Sequence, residues 1–249
     1  MQHFFVNPSD IGEKEIRITG SDVNHIKNVL RMKEGEELSV SNGINDTEYR
    51  CEIDHFTEDE VVLKIRFIKE EGVELPAKIY LFQGLPKADK MELIIQKAVE
   101  LGVYEIIPVA SKRAVVKLDD KKAKSKIARW QAISEAAAKQ SKRAFVPIVH
   151  EVMTMKEAVL YAAKLEAKAI PYELADGMKT AKEWIHQAVG AESIAVFIGP
   201  EGGFDESEIL MAKEAGITPI SLGRRILRTE TAGLAALSIL MYQLEIKDI

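Results

Sequence analysis

From residue 78 onward the chain repeats one rhythm: a short apolar run, a turn, then a longer segment with apolar residues at helical spacing. KIYLFQG leads into a stretch from Lys87 to Leu101 that puts Met91, Ile94, Ile95, Ala98 and Val99 on one helical face. YEIIPVA precedes a long helix over about 120–140, and FVPIVH precedes one at 155–165. AKAIPY, IAVFIG and TPISLG are followed by helical patterns at 178–189, 205–216 and 229–245. Strands separated by helices pair in parallel, and the helices then cover both faces of the sheet. The expected fold class for this part is α/β.

The first 72 residues read differently. EIRITG, EELSVSN, TEYRCEIDHF and EVVLKIRFIK are short runs rich in β-branched and aromatic residues, punctuated by glycines. One helix fits at 22–30, where Val23, Ile26, Val29 and Leu30 recur at helical spacing and Ser21 is the expected N-cap. A small β-barrel is the natural closure, because it removes exposed strand edges. The expected organisation is a barrel over 1–72 and an α/β domain over 73–249, with the boundary at 70–76.

Composition narrows the function classes. With 47% apolar and 29% charged residues, the chain can bury a large core, which excludes a disordered or fibrous protein. No apolar run approaches the ~18 residues that a membrane span needs. The start, MQHFFVNPSD, lacks the cationic and apolar regions of a signal peptide, so a cytoplasmic location is expected. Cys51 is the only cysteine, which excludes a disulfide frame and a thiolate zinc cluster. His3, His25, His55, His150 and His186 have no ligand-like spacing, so no metal is expected.

The net charge of −5 argues against a polyanionic partner only until it is counted by segment. Residues 112–143 hold Lys112, Arg113, Lys117, Lys121, Lys122, Lys124, Lys126, Arg129, Lys139, Lys142 and Arg143 against three acids, a local +8. The first 72 residues carry −7. Binding of a polyanion follows the local potential rather than the total.

Two expected strand ends carry unusual chemistry, and ligands of open parallel sheets bind outside the carboxyl ends of strands. IAVFIG runs into Gly199, Pro200, Glu201, Gly202 and Gly203, and a helix then starts with Asp205 and Glu208 at the spacing of a capping box. Paired glycines permit close backbone approach to a ligand, although such a loop also serves as a plain connector. The pattern lacks GxGxxG and a P-loop lysine, which disfavours a dinucleotide enzyme or a triphosphate cradle. TPISLG runs into Arg224, Arg225 and Arg228, with Thr229 placed to cap the next helix. Three arginines can clamp an anion, or simply face solvent. The two loops follow one another in the chain, so one ligand can touch both. The last helix, ETAGLAALSILMYQLE, is apolar on more than one face and needs burial on two sides, within the chain or against a second subunit.

IGPEGGF followed by a Glu-rich helix start, then LGRRILRTETA, resembles the SPOUT (trefoil-knot) class of methyltransferases. Within that class the chain is similar to the bacterial family that makes N3-methyluridine in 16S ribosomal RNA. HIKNVLRM at 25–32, GLPKADKMELIIQKAVELGV at 84–103, SKRAVVKLDDKK at 111–122 and KQSKRAFVP at 139–147 continue the likeness in order. The resemblance implies a PUA-like β-barrel before a knotted α/β domain, a homodimer, S-adenosylmethionine as cofactor and the small ribosomal subunit as partner. It implies a cofactor pocket lined by Gly199, Pro200, Glu201, Gly202 and Gly203, by Leu222, Gly223, Ile226, Leu227 and Arg228, and by Thr231 and Ala232, with Tyr172 added from the end of AKAIPY. It implies RNA contacts at His25, Arg31, Lys87, Lys90, Arg113, Lys139 and Arg143. Two positions depart from the family: His3 stands where Arg is common, which points to a weaker or pH-dependent contact, and Lys139 where Glu is common.

Methylation of uridine N3 requires that a weakly acidic proton leave. Positive charge can stabilise the anion, from Arg228, Arg113 or Arg143, or a base can take the proton, for which Glu201 is the nearest carboxylate. The arginine route ranks first. Other readings of the same chain are a SPOUT enzyme acting on another ribosomal or transfer RNA position, and a non-catalytic RNA-binding assembly factor with this fold.

Overall fold

The computed structural model describes residues 1–69, 72–116, 118–173 and 177–246. Lys117, one member of the basic segment, lies outside the described residues. The chain divides into two compact units: Met1–Glu74 with Ala138–Val146, and Leu75–Ala137 with Pro147–Ile249. The segment 138–146 thus groups with the first unit rather than with the α/β unit around it in sequence.

The first unit is a five-stranded sheet in the order β1-β3-β4-β5-β2. The strands are β1 (Gln2–Phe5), β2 (Glu15–Ile18), β3 (Glu37–Ser41), β4 (Glu48–Phe56) and β5 (Val61–Lys69). Only β1 and β3 pair in parallel. Period-2 alternation sends Ile16 and Ile18, Leu38 and Val40, Cys51 and Ile53, and Val61 and Leu63 into one core. β1 was absent from the expected strands because QHFF is too short to show alternation; its Phe4 is nonetheless buried. The expected PUA-like barrel takes the form of a curled, mixed sheet, a half-barrel with β1 and β2 as its edges. The short helix α1 (Ser21–Asn24) widens into a turn at His25–Val29, and Val23 and Ile26 pack on the core. Its N-cap is Gly20, at φ +70, and not Ser21. Burial pushes the Cys51 thiol up to about 12, so it behaves as a small apolar residue.

The second unit alternates as expected. Its chain order is β6 (Lys78–Gly84), α2 (Lys90–Glu100), β7 (Val103–Ala110), α3 (Asp120–Ser141), β8 (Ile148–Val149), β9 (Met153–Thr154) and α4 (Met155–Ala162). There follow β10 (Ala167–Pro171), α5 (Gly177–Ala188), β11 (Ser193–Ile198), α6 (Glu206–Glu214), β12 (Thr218–Ile220) and α7 (Thr229–Ile246). FVPIVH supplies only the two-residue β8. The sheet order is β12-β10-β11-β6-β7-β8, with β9 also on β7, and every pairing is parallel. Buried on both faces, β6 and β11 carry near-continuous apolar runs. Phe82 and Phe197 stack at 4.2 Å between them. In α7, Ala236, Leu237, Leu240 and Leu244 are buried, while Ile239 and Tyr242 stay exposed.

Because the strands are parallel, the carboxyl ends of β6, β10, β11 and β12 lie along one edge of the sheet. The two loops singled out in the sequence begin at that edge.

Candidate functional site

The glycine loop leaves β11 at Ile198 and enters α6 through the capping box anticipated from sequence. The Asp205 side chain accepts from the Ser207 N–H at 3.2 Å, and the Asp205 N–H donates to Glu208 Oε2 at 2.9 Å. Two glycines are required here. Gly203 has φ +67, and a Cβ on Gly84, at the end of β6, would stand 2.6 Å from Pro200 Cδ. The arginine loop leaves β12 and enters α7 at Thr229, where the capping expectation fails. The Thr229 hydroxyl instead donates to the Gly199 carbonyl at 2.7 Å and accepts from Gln83 Nε2 at 2.9 Å. Three chain segments, at 83, 199 and 229, are joined by this buried relay.

Between the loops lies a cavity of about 560 Å³. Tyr172, Gly199, Pro200, Glu201, Gly202, Gly203, Leu222, Gly223, Ile226, Leu227, Arg228 and Ala232 all line it. Thr231 does not; it faces solvent. Arg113 and Lys90, expected as RNA contacts, also line the cavity, as do Arg224 and Arg225. The sequence places neither Gln83 nor Thr229 at the pocket. A polar residue inside the otherwise apolar KIYLFQG was the available signal for Gln83.

The rim is electrostatically divided. The Glu201 carboxylate accepts the Lys87 backbone N–H at 3.1 Å and the Lys90 ammonium at 3.0 Å, and Lys90 also reaches Glu230 at 3.3 Å. Partial burial acts to raise the Glu201 carboxyl, but the hydrogen bonds from Lys90 and the backbone outweigh it and hold the group below the usual range. A carboxylate so held is a weak proton acceptor. Arg113 is half-exposed and lightly held, 3.5 Å from both the Gly202 carbonyl and Asp205. Its neighbour Lys112 donates its N–H to the buried Glu208 at 2.8 Å, so the capping box of α6 also anchors the loop that carries Arg113. Arg224, Arg225 and Arg228 are exposed and make no ion pair among the described residues. Ile226, between them, is 87% exposed.

The remaining expected RNA contacts are scattered. Lys87 presents an exposed side chain near the rim, and His25 and Arg31 are exposed in the first unit. Lys139 pairs with Asp22 at 3.0 Å. Arg143, only 4% exposed, pairs with Glu74 at 2.6 Å, and Glu74 also accepts the Ala144 N–H. Arg143 is thus an internal tie of the first unit, and it does not line the cavity. His3, in the same unit, is buried and bonded to Ser39 at 2.9 Å; burial drives its pKa down to about 4 against the pull of Glu48, which excludes an exposed cationic contact. Along α3, Lys121, Lys122 and Lys124 are exposed, and Arg129 pairs with Glu92. Among the described residues no group of three or more His, Cys, Asp or Glu could hold a metal, and no helix is long and apolar enough to cross a membrane.

Comparison with known proteins gives concordant matches. Residues 73–241 match the RNA methyltransferase domain family, and residues 18–66 match the RNA methyltransferase PUA domain family. The chain is 38% identical to Ribosomal RNA small subunit methyltransferase E of Bacillus subtilis (strain 168), over 99% of this chain and 98% of that protein. It is 34% identical to the protein of the same name from Mesomycoplasma hyopneumoniae (strain 232), over 96% and 98% of the two chains. It is also similar to the crystal structure of a Ribosomal RNA small subunit methyltransferase E from Neisseria gonorrhoeae bound to S-adenosyl methionine. That match has a TM-score of 0.84 and 31% identity over 97% of each chain.

Proposed function

We propose, for a chain that belongs to the RNA methyltransferase family, that it transfers a methyl group from S-adenosylmethionine to small-subunit ribosomal RNA, and that the acceptor is N3 of a uridine in 16S rRNA. The observation that carries this reading is the convergence of the glycine loop and the arginine loop on one cavity at the carboxyl edge of a parallel sheet.

The cavity suits the cofactor. About 560 Å³ falls within the range of small-molecule sites, and its walls combine apolar side chains with glycine backbone that no Cβ obstructs at Gly203. Gly199, Gly202 and Gly203 form one wall and Leu222, Gly223, Ile226 and Leu227 the other, with Tyr172 and Ala232 between. When bound, S-adenosylmethionine supplies a sulfonium methyl group open to in-line displacement. The chain positions the uridine against it, which removes the entropic cost of encounter. Arg228, with Arg113 on the opposite lip, supplies positive charge that stabilises the N3 anion as the proton passes to solvent. Glu201, already engaged by Lys87 and Lys90, holds the loop in shape. The acidic total of the chain does not oppose RNA, because Arg224, Arg225 and Arg228 stand exposed at this rim without an ion pair among the described residues.

Two further elements belong to the same reading. A second copy of the chain covers the apolar face left by Leu93 of α2 and by Ile239, Tyr242 and Ile246 of α7, which are 41–60% exposed. The resemblance to the SPOUT class also implies a knot within the α/β unit.

Methylation of small ribosomal subunits and of naked rRNA, followed by mass-spectrometric mapping, tests the reaction and the position together. The expected product is a single N3-methyluridine. A methyl group on a ribose or another base overturns the uridine-N3 assignment, and no product with calorimetrically silent S-adenosylmethionine revives the non-catalytic reading.

A further inference from the structure

The glycine loop has little means of holding its own shape. From Gly199 to Gly203 three of five residues lack side chains, and the loop's carboxylate, Glu201, points back to the connection between β6 and α2. That connection is itself constrained. Ala88 takes φ +54, a left-handed conformation that L residues rarely adopt, and the turn it makes presents the Lys87 N–H and the Lys90 ammonium to Glu201. From the first turn of α2, Lys90 also reaches Glu230, two residues beyond Arg228 at the start of α7. One side chain therefore bridges the glycine loop and the start of α7, the helix that the arginine loop enters. The buried Gln83–Thr229–Gly199 relay joins the same two segments from beneath.

We infer that Lys90 is a positioning residue that latches the glycine loop to the arginine loop and so sets the width of the cofactor cavity, rather than a contact to RNA phosphate. This rests on the methyltransferase reading of the cavity. Without Lys90, Glu201 keeps only backbone hydrogen bonds and Glu230 loses the ammonium, so two like charges are left with no cation between them and their repulsion pushes the loop and the start of α7 apart. An ammonium with two carboxylates at 3.0 and 3.3 Å has little capacity left for a phosphate. The sequence motif around Lys90 suggests an RNA contact, but the geometry points to a role exerted through Glu201 and Glu230.

The test measures S-adenosylmethionine affinity by calorimetry, and rRNA affinity as a function of salt, for wild type, Lys90→Met, Lys90→Arg and Glu230→Gln. Lys90→Met is expected to weaken S-adenosylmethionine binding about fivefold to tenfold, as for a partly exposed pair of ionic links, and to leave the salt slope of RNA binding at its wild-type value. Lys90→Arg, which keeps both links, is expected to recover to within about twofold, with Glu230→Gln intermediate. Wild-type S-adenosylmethionine affinity in Lys90→Met overturns the latch, most plainly if the salt slope drops by about one, the signature of a lost phosphate contact. An arginine variant as weak as the methionine one also overturns it. Failure of the wild type itself to bind S-adenosylmethionine overturns the functional reading and the latch together.

Discussion

At the rim of the cavity Arg224, Arg225 and Arg228 stand exposed with no ion-pair partner among the described residues, whereas in the first unit Lys139 and Arg143 are held by Asp22 and Glu74. Both groups are basic, and both lie in stretches that resemble RNA-modifying enzymes. Their surroundings give them opposite work. An open cation near a cavity keeps its field for a ligand, while a cation closed around a carboxylate cancels that field and ties two chain segments. Arg143 joins the segment after α3 to Glu74 at the end of the first unit's main run, which explains why residues 138–146 group with that unit.

This difference can be broken at either end. Arg228→Ala should cost the most in function, about a hundredfold or more in single-turnover methylation if it stabilises the developing anion. A rate within a few-fold of wild type would remove it from the chemistry. Arg143→Ala should cost about 3 kcal/mol of stability, because it leaves Glu74 partly buried without its partner. Thermal unfolding measures this, and a stably folded variant with reduced RNA salt slope would place Arg143 among the ligand-facing cations instead.

The interior of the first unit should also resist positive charge at His3. Its pKa lies near 4 in the folded protein against 6.5 for the free side chain, so between those values the unfolded chain binds more protons than the folded one. Stability contributed by the neutral imidazole is then present above pH 6.5 and lost as pH falls toward 4, by up to about 3 kcal/mol. Denaturant titrations at pH 7 and pH 4.5 should show the loss in wild type and a smaller one in His3→Gln; equal losses would move the effect to other groups. The smallest effect is expected from Arg224→Ala and Arg225→Ala, each lowering the salt slope of rRNA binding by about one while leaving folding unchanged.

Much of the second unit was legible in the sequence. Hydrophobic periodicity and turn chemistry are local, so the strand–helix alternation, the Asp205–Glu208 capping box and both ligand loops could be read from neighbouring residues. Four residues are too few for β1 to show a period, and propensity points to Ser21 as the cap where the backbone turn requires φ +70 and so falls to Gly20.

The chain order of apolar runs, glycines and charges by itself determined an α/β unit with a cavity at one sheet edge, and two loops to line it. Only the tertiary structure decided that Gly84 must be glycine beneath Pro200, that Thr229 serves Gly199 and Gln83 rather than its own helix, and which cations remain open. The reason is physical. Periodicity reports which face of an element is buried, but a salt bridge such as Arg143–Glu74 joins residues 69 positions apart, and its existence depends on how the elements pack.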